Sequence, residues 1–336
     1  MISNTCWRRA VALPLLTLAF VPVLQAQQGS VSPSPSASAA IRVTLLGTGR
    51  PDPVLDRFGP ATLVQAGDET LLFDCGRGAA QRLWQLGIPL SRVGAVLLTH
   101  LHSDHTVGLP DLWLTGWLPT PYGRRTTALG VWGPPGTRGM TDGLRQAYAW
   151  DVDRRSRGEG IPAAGAALEA HEVSPGTVFE RGGVRVTAFL VDHGGLTEPA
   201  YGYRVDYGPR SVVISGDTRP SESLVSAATH ADVIVHEVIA APTALLERSE
   251  TARRIVGLHT LPEDAGRIFA RVRPRLAVYT HVVLLRTDPA FPAPDVSELV
   301  SRTRTTYDGP LAVGEDLMVI EIGNEVRVSR GAPPKS

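Results

Sequence analysis

The sequence predicts an α/β domain over about residues 41 to 328, either one two-layered body or two fused halves. Two observations predict it. An apolar, β-branched-rich run of four to eight residues that ends in His or Asp recurs along the chain. Helix-like stretches separate those runs. Such runs, bounded by Gly and polar residues, have the pattern of buried strands.

The first 26 residues resemble a secretory signal. Arg8 and Arg9 give a basic start, Ala10 to Leu24 is apolar, and Leu24-Gln25-Ala26 resembles a small-residue cleavage site before Gln27. The apolar stretch falls short of the roughly 20 residues a membrane span needs. No Cys follows it, so a lipid anchor is not expected. Export to the periplasm or outside the cell is the expectation, with no stable membrane association after cleavage. Residues 27–40 form a small, polar, Pro-containing tether that cannot bury enough apolar area to order itself. Residues 329–336 form a similar tail.

Acids and bases balance at 33 each, and the first 26 residues hold two arginines and no acid, so the remainder is slightly acidic. Lys335 is the sole lysine and no basic block occurs. The usual electrostatic footprint of a nucleic-acid binder is therefore missing. Cys6 lies in the signal, which leaves Cys75 without a disulfide partner. At the end of the run Leu71-Leu72-Phe73, Cys75 is expected to be a small buried residue.

The strand-like runs each lead into a polar residue. Val93 to Leu98 leads into His100, Val186 to Val191 into Asp192-His193, and Ser211 to Ser215 into Gly216-Asp217. Val233 to Val235 leads into His236-Glu237, and Leu276 to Thr280 into His281. Helix-like stretches are Ala79 to Leu86, Val107 to Leu118, Thr137 to Ala149, Ser221 to Thr229 and Leu261 to Val272. In α/β sheets the carboxyl ends of strands gather ligands, so five such ends are expected to converge on one site. The densest is Thr99-His100-Leu101-His102-Ser103-Asp104-His105, which offers the imidazoles and carboxylate that a hydrolytic zinc ion binds.

Together these residues resemble the metallo-β-lactamase-fold hydrolases. The His-x-His-x-Asp-His motif is joined by His193, by Asp217 in Ser-Gly-Asp-Thr and by His281 in Tyr-Thr-His. Leu45-Leu46-Gly47-Thr48-Gly49 and Leu72-Phe73-Asp74-Cys75-Gly76 look like the family's first strands. The resemblance implies an αββα sandwich, a single domain of two similar halves with two zinc ions at one edge. It implies His100, His102 and His193 on the first metal and Asp104, His105 and His281 on the second, with Asp217 bridging. Manganese or iron would also suit these ligands. Two such cations lower the pKa of a shared water and stabilise the charged oxygens of an ester under attack.

Within the family, the tRNase Z and arylsulfatase branch is most similar. The segments Gly257 to Gly266, His236-Glu237 and Asp192 to Arg204 resemble its motifs. His259 is assigned as general acid and Glu237 as its orienting partner, with Asp104 counted among the catalytic groups. Thr260-x-x-Glu263 is expected to form a capping box. RNA-processing members carry a long basic arm between the residues matching His193 and Asp217, which here are only 24 apart. The insertion lies instead between His105 and His193, 88 residues. Trp113, Trp117, Tyr148 and Trp150 are expected in the core, an aryl-ester pocket being the other reading. Arg57 matches a family Arg that either touches an anionic ester or lies on the surface.

The expected activity is thus hydrolysis of a small anionic ester, arylsulfatase-like or phosphodiesterase, without nucleic acid as partner. The rival readings are a lactonase or other carboxylic-ester hydrolase, a tRNase Z-like endoribonuclease, and a non-catalytic zinc-binding scaffold. Oligomeric state is left open.

Overall fold

The computed structural model describes residues 40–197, 199–286 and 291–331. The signal-like segment, the tether up to residue 39 and the last five residues of the tail lie outside the described residues.

The chain builds two mixed sheets in succession. β1 (Ile41–Gly47), β2 (Ala61–Ala66) and β3 (Glu69–Phe73) form an antiparallel meander, and β4 (Ala95–Leu97), β5 (Leu129–Gly133) and β6 (Leu168–Glu172) continue it in parallel. α1 (Ala79–Gln85), α2 (Ser103–Thr106), α3 (Leu109–Trp117), α4 (Thr137–Ala147) and α5 (Ala149–Gly158) lie in the connections. The second sheet holds β7 (Gly176–Arg181), β8 (Val184–Val191), β9 (Ala200–Tyr207), β10 (Arg210–Ile214), β11 (Val233–Ala240), β12 (Leu276–Leu284) and β13 (Leu311–Val313). Its helices are α6 (Glu222–Ala228), α7 (Thr243–Arg248), α8 (Glu250–Val256), α9 (Pro262–Val272) and α10 (Val296–Thr303). The last strands, β14 (Met318–Ile322) and β15 (Val326–Arg330), return to pair beside β1 in the first sheet.

Three apolar layers make this an αββα sandwich. Val43, Leu45, Val64, Leu71 and Phe73 of the first sheet meet Val186, Tyr203, Val205, Val212 and Val235 of the second in the central core. Leu46, Leu63, Leu72 and Val96 carry the outer face of the first sheet against α1 and α3. Val213, Ile234, Ala277 and Tyr279 do the same for the second against α6, α9 and α10. With both faces covered, the strands are apolar almost throughout, as the uninterrupted runs require. Each fully buried Leu, Val or Phe contributes about 1.5–3 kcal/mol relative to exposure.

Three elements depart clearly from the sequence expectation. β11 and β12 do not stop at Glu237 and His281 but run three residues further. The expected helix Thr137 to Ala149 breaks at Tyr148, and α5 follows with no residue fully buried. Trp113 and Trp117 are core, donating their indole N–H groups to the carbonyls of Ala166 and Pro162. Tyr148 and Trp150 are not: they are 37% and 71% exposed, because α5 lies on the surface beyond the helices that cover the sheet.

Candidate metal centre

Strand ends set the site. β3 and β4 are parallel, as are β10, β11 and β12, so their carboxyl ends share one edge of the sandwich. Past β3 the chain turns at Asp74, at φ 57°, and the carboxylate accepts from the Thr99 N–H at 2.8 Å. That bond holds the start of the motif loop. His102 ends the loop in extended conformation, and the single turn of α2 then buries Asp104 and His105. Gly216, at φ 62°, delivers Asp217 after β10; a Cβ there would lie 2.7 Å from the Tyr201 carbonyl.

His281 reaches the site by a β-bulge. Glu237 pairs with Thr280 and Val238 with Val282, so His281 is the unpaired extra residue, at φ 40°. A bulge re-aims its side chain without ending the strand.

The seven expected ligand side chains come together. His100 Nε2 lies 2.9 Å from His102 Nδ1, which lies 3.4 Å from His193 Nε2. Asp104 Oδ2 is 3.4 Å from His281 Nε2 and 3.5 Å from His105 Nε2. Asp217 Oδ2 stands between the groups, 3.4 Å from His105 Nε2, 3.4 Å from His281 Nε2 and 3.9 Å from His193 Nε2. Ligand bonds of about 2.0–2.1 Å in tetrahedral array place donor atoms roughly 3.3 Å apart, so these spacings fit a metal ion. Buried lone pairs that face one another need a cation or a proton between them. His105 Nε2 is such an atom, buried without a hydrogen-bond partner among the described residues.

Neighbours fix the ring orientations. His105 Nδ1 meets Asp74 Oδ2 at 2.8 Å, His100 Nδ1 meets Thr99 Oγ1 at 3.0 Å, and His193 Nδ1 meets the Leu258 carbonyl at 3.0 Å. In each case the Nε2 is left for the centre.

Electrostatics suit the donor roles of three imidazoles and both carboxylates; His105 would have to give up a proton to bind a cation. Burial holds the imidazoles of His100, His102 and His193 below the usual range, which keeps them neutral. Burial also pulls His105 down, but Asp217 and Asp74 outweigh it and hold it well above that range. Burial pushes the Asp217 and Asp104 carboxyls up, and the surrounding imidazoles more than reverse this, so both are ionised.

His259 and Glu237 adjoin this centre. His259 Nδ1 lies 3.3 Å from Glu237 Oε2, an ion-pair contact, and 4.0 Å from Asp217 Oδ2. Burial disfavours the imidazolium, but Glu237 and then Asp217 overcome it and push the pKa up to about 9. Glu237 Oε1 accepts from the Thr260 N–H at 2.8 Å. The expected capping box does not form. Thr260 Oγ1 donates to the Thr218 carbonyl, Glu263 pairs with Arg302, and α9 starts at Pro262, whose missing N–H needs no cap. His236 turns away: it is fully buried with its ring edge-on to Phe269.

A cavity of about 340 Å³ opens onto the centre, lined by His102, Asp104, His193, Asp217, His259 and His281. Arg50 and Arg286 at its mouth, and Asp74 behind it, were not singled out from the sequence. Asp74 carried the signal, being one more Asp that ends an apolar run. Arg57 does not line the cavity; it donates to Thr48 Oγ1 and the Gly314 carbonyl, bracing the β1–β2 loop. Cys75 is fully buried, as expected.

Comparison with known proteins agrees with the fold and corrects the substrate. Residues 69–282 match the beta-lactamase superfamily domain. The chain is 36% identical to Ribonuclease Z of Mycobacterium marinum (strain ATCC BAA-535 / M) over 282 residues, 84% of this chain and 99% of that protein. Ribonuclease Z of Mycobacterium bovis (strain BCG / Pasteur 1173P2) is 34% identical, covering 84% and 98%. Among solved structures, a metallo-beta-lactamase fold protein from Bacillus subtilis superposes with TM-score 0.62 at 19% identity, covering 84% of this chain and 100% of that one. Human tRNase Z, short form, gives 0.61 at 23% identity, covering 83% and 98%. These relatives overturn the expected small anionic ester and the expected exclusion of nucleic acid. The short His193–Asp217 interval had argued against RNA, yet this chain spans relatives named Ribonuclease Z almost end to end. Lack of a long arm therefore does not separate it from them.

Proposed function

The chain belongs to the beta-lactamase superfamily, and on that premise we propose that it is a metal-dependent endoribonuclease of the ribonuclease Z kind, hydrolysing a phosphodiester bond of RNA. One observation carries the reading: seven ligand-type side chains converge beside the His259–Glu237 pair in a chain that aligns with Ribonuclease Z relatives over nearly their whole length.

We assign His100, His102 and His193 to one zinc ion, Asp104, His105 and His281 to a second, and Asp217 to both. Imidazole and carboxylate donors at these spacings suit zinc. Two such cations, when bound, would supply Lewis acidity to the phosphoryl oxygens and would make water more acidic near neutral pH.

The chain's own groups do the rest. Asp74, Thr99 and the Leu258 carbonyl hold three ligand rings in the tautomer that presents Nε2. His259 lines the cavity with Nδ1 turned to Glu237, so its Nε2–H is the proton available to the leaving oxygen. Glu237 keeps that imidazole protonated and in place, and is itself anchored by the Thr260 N–H.

The purified protein, loaded with about two zinc ions per chain, is expected to cut a tRNA precursor. Chelation should abolish the cleavage and zinc should restore it. A fully loaded protein that cuts no RNA would defeat this reading and favour a non-catalytic metal-binding role.

A further inference from the structure

The extensions of β11 and β12 beyond the metal layer have a consequence for substrate. With α7 and α8 they enclose a separate apolar cluster, in which Ile239, Leu245, Ala252, Val283 and Leu285 are buried and Ile255 is half-buried. This cluster joins neither sheet to the other. Among the described residues one side of it faces outward: Ile255, Leu258, Val283 and Leu285 form a wall of the same cavity that the ligand-type side chains line. The wall is tied to the centre, since the Leu258 carbonyl orients His193 while its side chain faces the cavity. Two cations stand at the mouth. Arg50 is pinned by Asp52 at 2.6 Å and by the Leu284 carbonyl. Arg286 is exposed and pairs with no carboxylate among the described residues.

Resting on the ribonuclease reading above, we propose that this aliphatic wall seats the base of one unpaired nucleotide flanking the scissile phosphate, with Arg286 on the adjoining phosphate. A phosphodiester held at the polar side of the cavity must project a nucleoside toward its other walls. The volume, about 340 Å³, is at the low end of the range for small-ligand sites, about 300–1,000 Å³. That admits one nucleotide and excludes a helix. Among the described residues the wall offers an apolar surface to the face of a base and no amide or hydroxyl side chain to its edge, which favours an unpaired nucleotide over a particular base. A paired base keeps both faces in its own stack and cannot occupy the wall.

The test uses the zinc-loaded protein and a cleavable RNA made abasic at one or the other nucleotide beside the cut. Removing the base on one side is expected to lower kcat/KM about tenfold, the effect of uncovering a modest apolar area. In Ile255→Ala/Leu285→Ala protein that penalty should shrink to about twofold or less by the logic of a double-mutant cycle. Independently, adenosine 5′-monophosphate should shift the methyl resonances of Ile255, Leu258 and Leu285 in the unmodified protein, and ribose 5-phosphate should leave them in place. Equal cleavage of abasic and intact RNA, or methyl groups that ignore the base, would overturn the proposal. Failure to cut any RNA would instead strike the ribonuclease reading, and the methyl titration would still decide the wall.

Discussion

Asp74 Oδ2 lies 2.8 Å from His105 Nδ1, and both side chains are buried. The same carboxylate accepts from the Thr99 backbone and hydroxyl, so one residue at the end of β3 fixes both the motif loop and a ligand ring. Asp74→Asn preserves the shape but removes the charge that favours the His105 Nδ1–H. Zinc affinity is expected to fall about 10- to 100-fold, as for other carboxylates behind ligating histidines. Competition against a chelator measures it. Unchanged affinity would assign Asp74 to loop structure alone.

The Glu237–His259 pair is expected to set the alkaline limit of activity. His259 is protonated up to about 9, so a rate that needs its proton persists to that pH and falls above it. Glu237→Gln removes the largest opposition to burial, and the limb of kcat/KM should move to lower pH. His259→Ala should cost about 10²–10⁴ in kcat and leave metal content intact. Loss of metal in this variant would make His259 a ligand instead.

The convergence of seven ligand-type side chains was largely legible in the sequence because they follow apolar runs and the family pattern names each of them. What was not legible depends on pairing between distant segments. No local pattern shows that His281 is a bulge, since the register shift arises only when β11 pairs with β12. The strands consequently looked shorter than they are, and the wall made by their extensions was missed. Tyr148 and Trp150 were misplaced because they are two residues apart, on different faces of a helix, and no local pattern shows whether a neighbour covers either one. The substrate was misjudged because a missing arm was given the weight of a missing function.

Asp316 ties the β1–β2 loop to the body. Its carboxylate accepts from Thr48 N and Oγ1 at 2.9 Å, from Phe58 N at 2.8 Å, and pairs with Arg82 at 2.8 Å. Asp316 is 4% exposed, so Asp316→Ala strands several donors and one guanidinium in the interior. Breaking a buried pair in this way costs about 3–5 kcal/mol. Denaturant unfolding should show that loss without a change in slope. A loss comparable to that of an exposed surface pair would mean that water replaces the carboxylate.

His236 should make the fold sensitive to mild acid. It is fully buried, its Nδ1 lies 2.6 Å from the Glu237 carbonyl, and its Nε2 has no hydrogen-bond partner among the described residues. Burial lowers its pKa, and the Glu237 carboxylate only partly opposes this. In the unfolded chain the imidazole titrates near the ordinary value of about 6.5. Between that value and the lower folded one, the unfolded state binds the extra proton. The contribution to stability is therefore complete above the unfolded pKa and is lost as pH falls below it toward the folded one. His236→Leu deletes this titration along with the hydrogen bond to the carbonyl. The stability of the unaltered protein relative to the variant, measured in saturating zinc, should fall as the pH is lowered from about 7.5 to 5.5. A difference independent of pH would show that protonated His236 is accommodated in the folded protein.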